Sequence, residues 1–509
     1  MTAHPPPART PLMSLDDALA RLLSRVQALS AVDSVPTFDA DRRVLAQDLV
    51  SALQVPPHDN SSMDGYALRC ADVTAPGVVL AVSQRIAAGH AAEPLRPGTC
   101  ARIFTGATMP EGADAVVMQE DTQAVGGDIH GVHIHTMPQP GQWVRRAGED
   151  VARGAVVLAR GERLSPASLG LTASLGLAQL PVVSRPRVAL FSTGDELVMP
   201  GEVAPHDMKP GSIYNSNRFF LRALLQRLGC EVSDMGIVPD RREATLAALQ
   251  TAASQHDLIL TSGGVSVGEE DHIKPAVQQL GSLDLWQIGM KPGKPFAYGH
   301  VRRAGDAGTD TAPSCHFVGL PGNPVSSFVT FMLLVRPFLL ALQGVPVVPL
   351  QPVMLPAHFS VTRPDKRREF LRVRRNAAGG LDLFPNQSSG VLTSAVWGRR
   401  LGGQARRHHH RPGRPGFLSF FRRVARMMVH LRYFASIREA IGTGSESVKT
   451  TAATLAALRD ELIARGGVYA DALARGRAVR VALNQTMSDE SAALVEGAEI
   501  GFFPPVTGG

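Results

Sequence analysis

The sequence predicts a multidomain protein of the α/β and β classes: a three-layer α/β domain, β-rich accessory domains, and a β-grasp (ubiquitin-like) domain at the C-terminal end. Three observations carry this expectation. From 187 to 344, apolar strand-like runs alternate with helical stretches, the pattern of a parallel sheet covered by helices on both faces. From 50 to 145, short β-type runs (78–82, 115–118, 132–135) are separated by Gly and Pro turns. After 428, a strand, a helix and returning strands follow within a short length. At 509 residues the chain exceeds one core, and roughly 150 residues per domain gives three or four.

In chain order, Ser14 with Asp17 three residues later forms a capping-box pattern opening a helix, whose apolar stripe is Leu15, Leu19, Leu22, Val26 and Leu29. Leu164, Ser165 and Pro166 begin another short helix, which returns to pack near the first. Residues 188–191 and 258–260 are buried strands, each followed by a polar or Gly-rich turn and then a helix, near 217–228 and 273–280. The expected domains are 1–48 with 146–185 (helical, linking), 49–145 (β-rich), 186–345 (α/β), 346–398 (a small, incomplete β domain), 399–427 (an Arg-rich linker) and 428–509 (β-grasp).

Composition excludes several classes. Hydrophobic content of 44% with 19% charged residues is ordinary for a globular protein. The net charge of +7 is local: nine arginines and no acid lie between 399 and 426, and without them the chain is slightly acidic. A nucleic-acid binder carries a basic face on a folded domain, so no nucleic-acid partner is expected. Cys70, Cys100, Cys230 and Cys315 form no C-x-x-C pair, Cys230 and Cys315 reading as core residues, and point to a reducing, cytoplasmic setting. The most apolar stretch, 328–342, is broken by Arg336 and Pro337 and is too short to span a bilayer.

Four loops carry chemistry. The run 261–271 (TSGGVSVGEED) leaves a buried strand and enters a helix; adjacent glycines let N–H groups close on an anion, and the helix adds its dipole. Alone, such a loop is more often a plain tight turn. It coincides with 192–197 (STGDEL), 291–295 (KPGKP) and 321–324 (PGNP). Lysines stiffened by prolines offer positive charge to an anion, and the acids offer oxygen ligands to a divalent cation. Ligands in such sheets bind at the carboxyl ends of strands.

Together these segments resemble the molybdopterin molybdenumtransferases, including the homologous domain of gephyrin. The resemblance extends upstream to 59–67 (DNSSMDGYA), 105–107 (TGA), 112–117 (GADAVV) and 145–150 (RRAGED), and covers about 14–398. It implies a molybdopterin-binding α/β domain that takes adenylylated molybdopterin, molybdate and Mg²⁺, places molybdenum on the dithiolene and releases AMP. It further implies catalytic roles for Asp59, Thr105, Asp150, Glu196, Asp240 and Asp271, with Glu196, Asp240 and Asp271 also holding the metal. Substrate contacts are implied for Thr193, Gly194, Asp195, Ser262, Gly263, Gly264, Ser266, Gly268, Lys291, Lys294, Pro321, Gly322 and Asn323, and a homodimer for the shared site. Plainer readings stand beside these: Thr105 as a turn cap, Asp195 as a helix N-cap, Asp240 as a helix start. One departure is His272, where the family commonly has Tyr.

From Met428 the chain reads like a fresh start, and 428–435 (MVHLRYFA), Asn484-Gln485 and 501–509 (GFFPPVTGG) resemble the small subunit of molybdopterin synthase. The resemblance implies a sulfur carrier whose Gly508-Gly509 tail is adenylylated by an activating adenylyltransferase and converted to a thiocarboxylate for the synthase large subunit. A tail without side chains can thread a narrow tunnel. Leu431, Tyr433 and Phe434 read as core, and of Phe502 and Phe503 one faces inward by strand alternation. The family match stops near Trp397-Gly398, where the Arg-rich stretch with His408, His409 and His410 begins. The abrupt shift fits a disordered linker, or a reading-frame change that removed a stop before Met428. Two rival readings are a catalytically impaired scaffold and a ubiquitin-like protein modifier.

Overall fold

The computed structural model describes residues 12–126, 131–264, 272–303, 314–348, 352–361, 365–398, 400–404, 415–419, 427–450, 452, 454–492, 494 and 497–504. The chain divides into two compact units: Met1–Pro349 with Pro356–Gly416, and Leu350–Leu355 with Phe417–Gly509.

In the first unit, α1 (Leu15–Leu23) starts where expected. Ser14 Oγ accepts from the Asp17 N–H at 3.0 Å and donates to the Asp17 carboxylate at 2.6 Å, and Leu15, Ala18 and Leu22 are buried. Strand Val32–Pro36 lies antiparallel to Gln179–Val183, and Leu49–Val50 antiparallel to Val156–Leu158, so the chain leaves this region and returns to it. Helix α2 (Pro166–Ser174) has Ser165 as N-cap and proline in its first turn. The intervening segment forms a six-stranded sheet in the spatial order Ala115–Met118, Gly65–Leu68, Thr99–Ile103, Val78–Ile86, Gly131–Ile134, Thr122–Val125.

The central sheet also has six strands: β1 (Arg187–Thr193), β2 (Glu231–Val238), β3 (Leu258–Ser262), β4 (Gly281–Gln287), β5 (Pro295–Val301) and β6 (Cys315–Leu320), in the order β2-β1-β3-β6-β5-β4. Strands β2, β1, β3 and β6 are parallel. Contrary to the expectation of a wholly parallel sheet, β4 and β5 are antiparallel. The connection between them is too short for a crossover, so the chain turns back as a hairpin, with KPGKP at the turn. Helices α3 (Ser216–Arg227), α4 (Arg242–Gln255) and α5 (Ile273–Leu280) connect the strands.

After β6, α6 (Pro324–Thr330), a π-helical turn (Phe331–Val335) and α7 (Arg336–Leu342) form one continuous 19-residue helix. Among the described residues it is the one helix long and apolar enough to cross a membrane by length and composition, and it is mostly buried in the fold. The helix runs unbroken through Arg336-Pro337 and, starting at Pro324, is longer than the apolar stretch read from the sequence. The π turn widens the backbone ahead of Pro337, which cannot donate to a carbonyl one turn back.

A small sheet joins Met290–Lys291, Arg368–Arg375, Leu381–Leu383 and Arg400–Gln404. The last of these corrects the linker expectation: the Arg-rich stretch begins with a strand paired antiparallel to Glu369–Val373, because backbone ladder bonds are indifferent to the arginine side chains. The guanidinium of Arg372 is buried in this sheet and donates to Ser394 Oγ and to the carbonyls of Phe370 and Ser388; burial lowers its pKa to about 10.

The second unit is a β-grasp sheet ordered Ser445–Thr450, Met427–Tyr433, Glu499–Phe503, Arg480–Leu483, Thr486–Ser488, with helices Ala435–Ile441 and Leu455–Ile463. Val429, Leu431, Tyr433, Leu455, Leu458, Leu462, Ile500 and Phe502 fill its core. Phe434 does not belong to it and is 41% exposed: Tyr433 takes the inward position, and alternation turns its neighbour out. There Phe434 stacks on Phe503, with ring centroids 4.2 Å apart.

Candidate functional site

The carboxyl ends of β1, β3 and β6 bring three of the sequence motifs together. Gly263 has φ +96°, and a Cβ there would lie 2.9 Å from the Thr193 carbonyl oxygen, so only glycine admits this approach. Its N–H donates to Leu320 O at 3.0 Å, and a Cβ on Gly322 would lie 3.9 Å from Gly263 Cα. Thr193, Gly194, Ser262, Gly263, Gly264, Pro321 and Gly322 therefore line the carboxyl end of these strands. Ser192 and Ser262 hydroxyls are buried 3.4 Å apart. Asn323 is the N-cap of α6, and its side chain makes no capping bond. Ser266, Gly268 and Asp271 lie outside the described residues.

Next to these strand ends, the Asp240 N–H points at Asp195 Oδ1 at 3.5 Å, joining the turns after β1 and β2. No helix follows Asp195 directly, which removes its N-cap reading: Leu197–Val198 and Ile213–Tyr214 intervene before α3, whose cap is Asn215. Asp240 stands two residues ahead of α4, whose N-cap is Arg241. Asp195 and Glu196 are exposed, and Asp240 is half-buried. Among the described residues no three His, Cys, Asp or Glu side chains cluster as a metal site.

The hairpin loop places Lys291 against the small β-sheet. Its ammonium pairs with Glu369 at 2.9 Å and Asp365 at 3.5 Å, and the Glu369 hydrogen bond raises its pKa. Arg367 in turn holds Asp365 at 2.8 Å and keeps that carboxyl well below the usual range. Lys294 is exposed. A Cβ on Gly293 would meet Thr330 Oγ1 at 2.5 Å, so the loop lies directly on α6.

A second group forms in the β-rich region. Asp59 accepts from the Ala147 N–H at 2.8 Å and from Arg146 at 2.6 Å; the Ala147 bond first, then Arg146, hold its pKa down. Asp64 Oδ1 accepts from the Thr105 N–H at 2.8 Å and hydroxyl at 2.7 Å, and is likewise lowered by the Thr105 backbone bond. Thr105 is thus tied to Asp64, and the runs 59–67, 105–107 and 145–150 meet. Asp150 has an exposed side chain, with its N–H bonded to Val55 O. No hydrogen bond or ion pair among the described residues joins this group to the strand-end group.

Sequence reasoning missed Asp64 as the partner of Thr105, Asp365 and Glu369 as the partners of Lys291, and the role of Asn217, whose Nδ2 donates to Gly322 O at 2.7 Å. The signal for Asn215 and Asn217 was present, since a helix start after a turn calls for capping residues. Nothing local marks Glu369 as a partner of Lys291.

A Gly-lined set of strand ends flanked by acids, a lysine loop and helix N-termini defines an α/β protein built to bind an anionic, phosphate-bearing ligand. Comparison with known proteins narrows this. The family described as MoeA N-terminal region (domain I and II) matches 13–176, the probable molybdopterin binding domain matches 189–341, and the ThiS family matches 431–509. The chain is 41% identical to the molybdopterin molybdenumtransferase of Haemophilus influenzae over 334 residues, 65% of this chain and 78% of that protein. It is 36% identical to the Synechococcus elongatus protein of that name over 396 residues, 76% of this chain and 93% of that one. The molybdopterin biosynthesis moeA protein of Pyrococcus horikoshii superposes with a TM-score of 0.68 at 26% identity, covering 81% of this chain and all of that one. The chain belongs to the molybdopterin molybdenumtransferase family, works in molybdenum cofactor biosynthesis, and carries a ThiS-family domain at its C-terminal end.

Proposed function

We propose that the first unit inserts molybdenum from molybdate into adenylylated molybdopterin and releases AMP. The observation that carries this reading is the convergence of Thr193, Gly263 and Gly322 at the ends of three neighbouring parallel strands, where backbone groups can approach a phosphoanhydride closely. Glu196 and Asp240 are hard oxygen donors on adjoining turns, of the kind Mg²⁺ takes while keeping several waters; with Asp271 they would hold it. Bound there, the cation supplies positive charge to phosphoryl oxygens. Lys291 and Lys294 present the oxoanion subsite, with Glu369 and Asp365 fixing Lys291. In this reading the protein is a homodimer, and the Asp59, Thr105 and Asp150 group of one copy faces the strand ends of the other.

The ThiS-family domain acts in this reading as a sulfur carrier. The Gly509 carboxylate is adenylylated by an activating adenylyltransferase at the expense of ATP, and a sulfur donor then displaces AMP to leave the thiocarboxylate used by the molybdopterin synthase large subunit. Gly508 and Gly509 lie outside the described residues; the support is the family match and half-buried Phe503, which ends the strand leading to them and stacks on exposed Phe434. The free thiols suit a reducing cytoplasm.

Incubation with adenylylated molybdopterin, molybdate and Mg²⁺ tests the transferase reading by AMP release; no release overturns it. Intact-mass analysis after incubation with the activating enzyme, ATP and a sulfur donor tests the carrier: a sulfur-for-oxygen exchange is expected, and isopeptide conjugates instead would overturn it.

A further inference from the structure

The N-terminus of α3 carries two buried amides whose hydrogen bonding is half complete. Asn215, the N-cap, accepts the Arg218 N–H on Oδ1 at 3.2 Å, while its Nδ2 has no acceptor among the described residues although the residue is 2% exposed. Asn217 donates from Nδ2 to Gly322 O, while its Oδ1 has no donor among the described residues at 8% exposure. Buried polar atoms are ordinarily hydrogen-bonded, so two left open at one helix end offer a ligand a place to complete the bonding. The first N–H groups of a 12-residue helix also lack intrahelical acceptors, and the dipole favours negative charge there. Through Gly322, this helix end borders Gly263 and the strand-end loops. The nearest cation on the helix, Arg218, is committed to Asp234 at 2.5 Å, so an anion here is met by neutral donors.

We propose that the α3 N-terminus is the phosphate subsite of the nucleotide-bearing substrate. Asn215 Nδ2 donates to a phosphate oxygen, and Asn217 Oδ1 accepts from a hydroxyl of the adjoining sugar. The inference rests on the transferase reading above and adds the residues that hold the leaving nucleotide. Asn217 is also a positioning residue, since it fixes the Gly322 carbonyl.

Calorimetric titration of the full chain with AMP separates the two ideas. Asn215→Asp and Asn215→Ser both retain an N-cap oxygen, so α3 and the melting temperature are preserved, but neither retains the amide donor. AMP is expected to bind Asn215→Asp at least about tenfold more weakly than wild type, and Asn215→Ser more weakly by a smaller factor. Unchanged affinity in both variants overturns the subsite while leaving the transferase reading intact. Failure of the wild-type protein to bind AMP overturns the subsite, whereas the transferase reading falls only if AMP is not released in turnover. 2′,3′-Dideoxy-AMP should bind wild type about fivefold more weakly than AMP; equal binding overturns the assignment of Asn217.

Discussion

Asp59 and Asp64 on one side, and Asp195, Glu196 and Asp240 on the other, come from motifs of similar texture in the same unit. Their surroundings differ. Asp59 and Asp64 each collect a backbone N–H and a side-chain donor, from Ala147 and Arg146 and from Thr105. Asp195 receives one long contact from the Asp240 N–H, and Glu196 stands exposed above the strand ends. Carboxylates already saturated with donors hold loops in place; carboxylates left open can take a cation. In the proposed function the first pair positions a loop, and the second group is the one open to a cation.

The largest effect expected from this contrast is on turnover. Glu196→Gln and Asp240→Asn should each lower AMP release by about a hundredfold or more while leaving the melting temperature nearly unchanged. A variant that instead melts early while keeping turnover would place these acids with the structural pair. Next comes Lys291→Met, which removes the partner of the largely buried Glu369. The lysine side chain is 44% exposed, so screening limits the loss to about 1–2 kcal/mol in chemical denaturation. Adding Glu369→Gln should restore most of that stability without restoring activity. Restoration of both would make the lysine structural only.

How much of this was legible follows from range. The capping box at Ser14, the helix start at 164–166 and the turns that leave β1 and, as far as Gly264, β3 are local patterns, and each appears where its residues predict. The pairing of Lys291 with Glu369 is not local, because it depends on Met290–Lys291 lying parallel to Arg368–Glu369 in a sheet assembled from distant segments. Phe434 was misplaced for a related reason: composition makes it a core residue, while alternation from Tyr433 turns it outward. The Arg400–Gln404 strand was hidden because composition reports side chains, whereas the ladder is made by backbone. Among the site acids, the sequence distinguished which residue types were present but not which had captured N–H donors, and that decides their roles.

The smallest effect is the most specific to the structural pair. Asp59 titrates in the folded protein below its unfolded value near pH 4, because the Ala147 N–H and Arg146 favour its charged form. Its contribution to stability is therefore fully present above about pH 4 and is lost as the pH falls through the lower, folded-state value. With the carboxylate part-exposed, that contribution is about 1 kcal/mol at most. Asp59→Asn should bring the stability at pH 6 down by this amount and leave stability at pH 3 closer to wild type, so that the two curves converge on acidification. Because Arg146 and Ala147 hold the loop that ends at Asp150, the same substitution should loosen that loop and reduce turnover more than affinity for AMP. Parallel stability curves across this pH range would show that Asp59 is not anchored by those donors, and would move it from the structural pair to the open group.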